Sequence, residues 1–197
     1  MGLAKLALPF GPEVMLQRIV RLVGEVCRPI VVVAAQGQEL PDLPAEVIVT
    51  RDRHSDRGPL EGLSAGLSAL PAEVEAAYAT SCDVPLLVPA FVRRMFELLG
   101  DCDAAVPVSG GYTHPLAAVY RPSVLSTIAE LLAADRMRPA FLFDAVPTRR
   151  VEERELTDVD PRLDTLKNLN RPEDYLAALE QAGFTAPPDI LSKLKGI

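Results

Sequence analysis

The sequence is poor in the side chains that most enzyme chemistries need. Among its 197 residues are two histidines and three cysteines, Cys27, Cys82 and Cys102. Three cysteines without close spacing do not suggest a disulfide framework or a zinc site. They are expected as reduced thiols in a cytoplasmic protein. The motifs GxSxG, CxxC, HExxH and Walker A are all missing, so there is no ready apparatus for covalent or zinc-assisted catalysis. No apolar run approaches the ~18 residues of a membrane span, and residues 1–11 do not read as a signal peptide. There is no basic run either, and the net charge is −7. Such a chain is poorly suited to holding nucleic acid by its phosphates, although a local pocket can still be positive. Neither nucleic acid nor membrane is an expected partner.

What is present describes a packed α/β domain. Hydrophobic residues make up 49% and charged residues 24%, a balance that supports a buried core. Residues 14–26 place apolar side chains at helical spacing, and Pro29 follows. Residues 30–35 (IVVVAA) form a short β-branched run, as in a strand covered on both faces. A second strand is expected at 47–50, a polar loop at 51–58 and a helix at 59–70 opened by Pro59. A strand at 76–81 and a helix at 89–99 follow. Two strands at 103–109 and 114–120 flank Gly110-Gly111. Helices are expected at 122–134 and 138–145, and a charged edge strand at 148–155. A last helix spans 171–183, with a loosely held tail beyond it. Alternating strands and helices imply βαβ units and a mostly parallel sheet, with ligands bound beyond the carboxyl ends of the strands.

That rule directs attention to particular loops. Asp83 ends a buried-type strand before Val84-Pro85, where a carboxylate can hold Mg²⁺ against phosphate oxygens or simply cap a turn. The loop RDRHSDRGPL gathers Arg51, Arg53 and Arg57 near the N-terminus of the next helix. It is either an anion-binding loop or a solvated charged one. His54 within it is expected to be merely exposed. His114-Pro115 either contacts a substrate or caps the hairpin. Asn168 and Asn170 flank Leu169, and alternation puts both amides on one side of an extended segment. There they can read a base or phosphate, or tie down a turn.

The order of these pieces resembles the molybdenum cofactor guanylyltransferase family. MGLAKLALPFG is similar to the region after that family's glycine-rich loop. Asp52 and Gly58-Pro59-Leu60 with Gly62 resemble its GPLxG region, and Cys82-Asp83-Val84-Pro85 its CDxP motif. His114-Pro115 looks like its His/Gln-Pro segment, and NLNRPED at 168–174 like its NxNTPED motif, with Arg171 in place of Thr. The resemblance implies a three-layer Rossmann-like nucleotidyltransferase fold over 1–182, with 183–197 as a C-terminal tail. It implies an enzyme that moves GMP from GTP onto the phosphate of molybdenum-bearing molybdopterin and releases pyrophosphate. Lys5 and Asp83 would be catalytic, with Lys5 neutralising triphosphate charge and Asp83 holding Mg²⁺. Asp52, Gly58, Pro59, Leu60, His114, Asn168 and Asn170 would bind substrate. Client molybdoenzymes or cofactor-handling proteins are the implied protein partners. Alternative readings are a transferase using CTP or another nucleotide and acceptor, and a non-catalytic cofactor-binding protein. The family pattern opens with a strand and an LAGGxSxR loop directly before Met-Gly, whereas Met1-Gly2 opens this sequence. The expectation is therefore a sheet lacking its first strand here, and either a longer protein carrying roughly 15–20 further residues, the length of an ordinary strand and loop, or a short protein that has lost catalysis or borrows a strand from a partner.

Overall fold

The computed structural model describes residues 5–52 and 57–195. A 3₁₀ turn, Lys5–Ala7, leads into a small antiparallel hairpin, β1 (Pro9–Phe10) and β2 (Glu13–Val14). Helix α1 (Met15–Gly24) follows, then the strands β3 (Val31–Ala34) and β4 (Ile48–Arg51). Next come α2 (Pro59–Ser68), β5 (Ala77–Thr80), α3 (Pro89–Glu97), β6 (Ala104–Ser109), β7 (Tyr112–Thr113) and β8 (Ala117–Tyr120). The chain continues through α4 (Leu125–Ala133), α5 (Pro139–Ala145), β9 (Thr148–Glu152), α6 (Pro172–Gln181) and α7 (Pro188–Lys195).

Proline does much of the punctuation. Helices α2, α3, α5 and α6 each carry it in the first turn. There its missing N–H costs nothing and its fixed φ is already helical. Gly58, the residue before α2, has φ +71°. This left-handed conformation is one that a side chain makes costly.

Among the described residues, the strands after the β1–β2 hairpin form two further sheets. β3 and β4 pair in parallel. The larger sheet runs β5-β8-β6-β7, with β9 on the other side of β6. β8 lies antiparallel to both β5 and β6, while β9 is parallel to β6. Three of its strands therefore share one direction. The expected parallel character holds for strand direction, but β7 and β8 make most neighbouring pairs antiparallel.

Both faces of this sheet are buried, which explains its continuous apolar runs. Ala104, Val106, Ala118 and Tyr120 pack against α2, α4 and α5. Ala105, Val119 and Val151 pack on the opposite face, against Phe91 and Met95 of α3. The result is three layers, helix–sheet–helix.

Several boundaries differ from expectation for physical reasons. The strand expected from 114 begins at Ala117, because Pro115 has no N–H to give a ladder. The strand expected through 155 stops at Glu152, where the Glu155 carboxylate accepts the Glu152 N–H at 3.0 Å and starts a 3₁₀ turn. β9 is an edge strand, as its charges suggest. The hairpin β1–β2 and helix α7 were not foreseen. Instead of a loose tail, the C-terminal segment buries Ile190 and sets the Phe184 ring edge-on to Phe10 at 5.8 Å. A Cβ on Gly11 would meet that ring at 2.5 Å, so the Phe-Gly pair at 10–11 is matched to the C-terminal segment.

Candidate active site

Lys5, Asp83, Asn168 and Asn170 come from three distant parts of the chain and meet at one point. Lys5 projects from the 3₁₀ turn whose Leu6 is buried. Asp83 lies just beyond the end of β5. The two asparagines sit in the extended stretch before α6. That stretch is held by the Leu169 N–H, which donates to the Asp83 carbonyl at 2.8 Å, and by the buried Leu169 side chain. With Leu169 turned inward, alternation sends both amides outward to the same place. The Asp174 carboxylate fixes the helix start by accepting the N–H groups of Asn170 and Arg171.

The Lys5 ammonium lies 2.9 Å from Asp83 Oδ2 and 2.9 Å from Asn170 Oδ1. On the other oxygen, Asp83 Oδ1 accepts from Asn168 Nδ2 at 2.9 Å and from Ser81 Oγ at 2.6 Å. Three donors thus aim one carboxylate. Ser81 was missed in the sequence. Its signal was its place two residues before Asp83, which puts it on the same side of the turn. The side chains of Lys5 and Asp83 are 31% and 13% exposed, so the pair is reachable from solvent.

His114 does not touch this cluster. Its backbone N–H donates to Pro107, and with Asn168 it lines a cavity of about 150 Å³. Burial lowers the imidazole pKa, which keeps the ring neutral at pH 7. Asp52 lines a larger cavity that Ser81 and Cys82 also reach. Its Oδ1 is buried without a hydrogen-bond partner, 3.7 Å from where a Cβ on Gly62 would stand. Gly58 and Pro59 form the start of α2 nearby, but the Leu60 side chain is fully buried in the core beside Tyr120. The backbone of that turn and the exposed Pro59, which lines the cavity, are left to serve a ligand.

Two of the loop arginines are committed to structure. Arg51 donates to the carbonyls of Ala35 and Gln38, and Arg57 to that of Leu132. Arg53 and His54 lie outside the described residues. Among the described residues no group of three or more His, Cys, Asp or Glu side chains could hold a metal.

Asp52 makes a pH-dependent prediction. Burial first, and the nearby Glu61 second, raise its carboxyl pKa above the ordinary value. The folded state then binds that proton more readily than the unfolded one. Ionising Asp52 therefore lowers stability, a cost that appears as pH rises through and above the ordinary aspartate range. Asp52→Asn is expected to melt higher than the parent at pH 7.5, with the difference shrinking towards pH 4. A Tm series across pH checks this, and a constant difference would refute the assignment.

The comparisons with known proteins place this three-layer α/β fold, with its Lys–Asp–Asn cluster beyond a strand end, among the nucleotidyltransferases. The MobA-like NTP transferase domain matches residues 1–148, and the chain belongs to that family. A probable molybdenum cofactor guanylyltransferase of Mycobacterium ulcerans is 36% identical over 154 residues, covering 75% of this chain and 74% of that protein. One from Mycobacterium tuberculosis is 33% identical over 162 residues, covering 80% of each. The solved molybdopterin-guanine dinucleotide biosynthesis protein A of Archaeoglobus fulgidus superposes with a TM-score of 0.74 at 18% identity, over 92% of each chain. A 2-C-methyl-D-erythritol 4-phosphate cytidylyltransferase of Thermus thermophilus shares the fold with a TM-score of 0.67 at 17% identity, covering 91% of this chain and 93% of that one. No helix among the described residues is long and apolar enough to cross a membrane.

Proposed function

We propose that this chain transfers GMP from GTP to the terminal phosphate of molybdenum-bearing molybdopterin, releasing pyrophosphate. The observation that carries the reading is the Lys5–Asp83–Asn168–Asn170 cluster, in a chain whose relatives at 33–36% identity are named molybdenum cofactor guanylyltransferases. A phosphate oxygen of the acceptor attacks the α-phosphorus in line. The new P–O bond forms as the bond to the β-phosphate oxygen breaks, and pyrophosphate carries away the electron pair. The acceptor is already an anion at neutral pH, so no protein base and no covalent intermediate are needed. Such transfers depend on positioning and on neutralising charge.

The donors present suit Mg²⁺. Asp83 Oδ2 and Asn170 Oδ1 converge on one cation, the Lys5 ammonium, and hard oxygen donors are what Mg²⁺ takes. One carboxylate with few other protein ligands is the usual pattern where phosphates complete the shell. Asp83 and Asn170 would hold the ion, which when bound neutralises charge on the phosphates. Lys5 would then turn from Asp83 towards the triphosphate. Asn168 keeps Asp83 oriented and, with His114, faces the acceptor side. Asp52 and the backbone of Gly58-Pro59-Leu60 seat the nucleoside. The three free cysteines suit a reducing cytoplasm, where molybdoenzymes or cofactor-handling proteins would receive the product.

The test is pyrophosphate release with molybdopterin and Mg²⁺, compared across GTP, CTP and ATP. GTP is expected to support turnover at least tenfold faster than either competitor. Equal or greater turnover with CTP would overturn the choice of nucleotide. Tight molybdopterin binding without turnover on any nucleotide would point to a cofactor-binding protein.

A further inference from the structure

Arg18 of α1 joins the two segments that carry Lys5 and Asp83. Its Nε donates to the Pro85 carbonyl at 2.6 Å, and its Nη1 lies 3.3 Å from Glu13 Oε1. Pro85 is buried, two residues after Asp83, so its carbonyl needs a donor from within the protein. Glu13 lies on β2 opposite Phe10 of β1, in the hairpin that follows the Lys5 turn. Arg21 grips the same carboxylate, with its Nη2 2.8 Å from Oε1 and its Nε 3.2 Å from Oε2. The Arg18 guanidinium also lies over the Phe10 ring, 4.7 Å from its centroid, and 5.9 Å from that of Phe184. One side chain thus meets the turn after Asp83, both strands of the hairpin and the C-terminal segment.

The path from the hairpin back to Lys5 is short. The Met15 N–H donates to the Leu8 carbonyl at 2.9 Å, and the Leu8 N–H to the Lys5 carbonyl at 3.1 Å. Leu8 and Phe10 are buried in one cluster with Leu169. Apolar contacts of that kind fix how deep the hairpin sits but have no direction. A planar guanidinium with fixed donor directions sets the orientation as well. Orientation matters because the Lys5 ammonium meets both Asp83 Oδ2 and Asn170 Oδ1 at 2.9 Å, at the end of a long, rotatable side chain.

We propose that Arg18 is a positioning residue: it locks the Lys5-bearing hairpin to the turn after Asp83 and so sets the Lys5–Asp83 contact. It touches no reacting atom. Its effect on turnover rests on the reaction assigned above, whereas its effect on Lys5 does not.

The protein has four lysines, so the side-chain NMR signals of protein carrying ¹³C at lysine Cε are few. Loss of one signal in Lys5→Met assigns Lys5. In the nucleotide-free protein that signal is expected to stand apart from those of the exposed lysines and to move in Asp83→Asn. Arg18→Met keeps a long apolar side chain beside Phe10 but removes the charge and both donors. It is expected to return the Lys5 signal towards the exposed lysines. Glu13→Gln keeps the fold with a near-isosteric side chain and weakens the hold on Arg18, so the same signal is expected to move the same way by less. Turnover is expected to fall about tenfold in Arg18→Met, as for a displaced charge-bearing group. In a Lys5→Met background the same substitution is expected to cost less than about twofold, because the two act through one contact. A Lys5 signal that stays in place in the folded variants would overturn the proposal, as would an equal rate loss with and without Lys5. If the parent turns over no nucleotide, the assigned reaction fails, and the Lys5 signal alone decides the role of Arg18.

Discussion

Asp83→Ala is expected to lower GTP-dependent pyrophosphate release by about 10²–10³-fold, the usual cost of removing one directed charge-stabilising group from a transfer site. The substitution deletes the acceptor shared by Lys5, Ser81 and Asn168. It also removes the carboxylate proposed to hold Mg²⁺. The fold is expected to survive, because the Asp83 backbone carbonyl still anchors Leu169 and the side chain lies at the edge of the sheet, outside the core. Steady-state rates and thermal melts on the same preparation check both halves. Asp83→Asn separates charge from shape, since the amide keeps one acceptor oxygen in place. If Asp83→Asn stayed within threefold of the parent rate, the metal-holding role would be wrong.

Tyr120→Ala is expected to have the largest effect on stability, about 3–5 kcal/mol, as for other large aromatic truncations in a core. Tyr120 is fully buried at the end of β8, where it is paired with Ala77 on one side and Ala104 on the other. Its ring lies nearly parallel to Phe143, with centroids 6.2 Å apart. Its hydroxyl donates to the Pro115 carbonyl at 2.8 Å, which ties the core to the loop carrying His114. Tyr120→Phe isolates that bond. It should cost about 1 kcal/mol, the net value of a typical hydrogen bond, or somewhat more because it leaves a carbonyl unpaired. Urea unfolding of the two variants tests this order. A Tyr120→Phe variant as unstable as Tyr120→Ala would show that the hydrogen bond, rather than packing, holds the strand.

Much of the site was legible because its residues sit in ordered motifs. The amide pair at 168 and 170 was visible through simple alternation about an apolar Leu169. Asp83 was visible because it follows an apolar strand and precedes a turn proline. Ser81 was less visible, since a serine before a turn has no chemical mark until its partner is known. The arginines of the 51–58 loop were ambiguous, because charge alone does not separate an anion site from a solvated loop. Arg51 and Arg57 looked available for an anion, but they are spent on carbonyls 13–75 residues away. Leu60 showed the same limit, because a motif does not say which of its members points inward.

Local patterning determined the elements. Prolines opened helices and β-branched runs made strands. A resemblance in motif order joined these signals to a family. Tertiary structure alone decided that Lys5 lies 2.9 Å from a carboxylate 78 residues away. It also decided that β8 runs against its neighbours and that Phe184 closes over Gly11. Each of these depends on which surfaces meet after the chain has returned on itself. Contacts of that kind are set by the packing of the whole core and leave no periodic trace along the sequence.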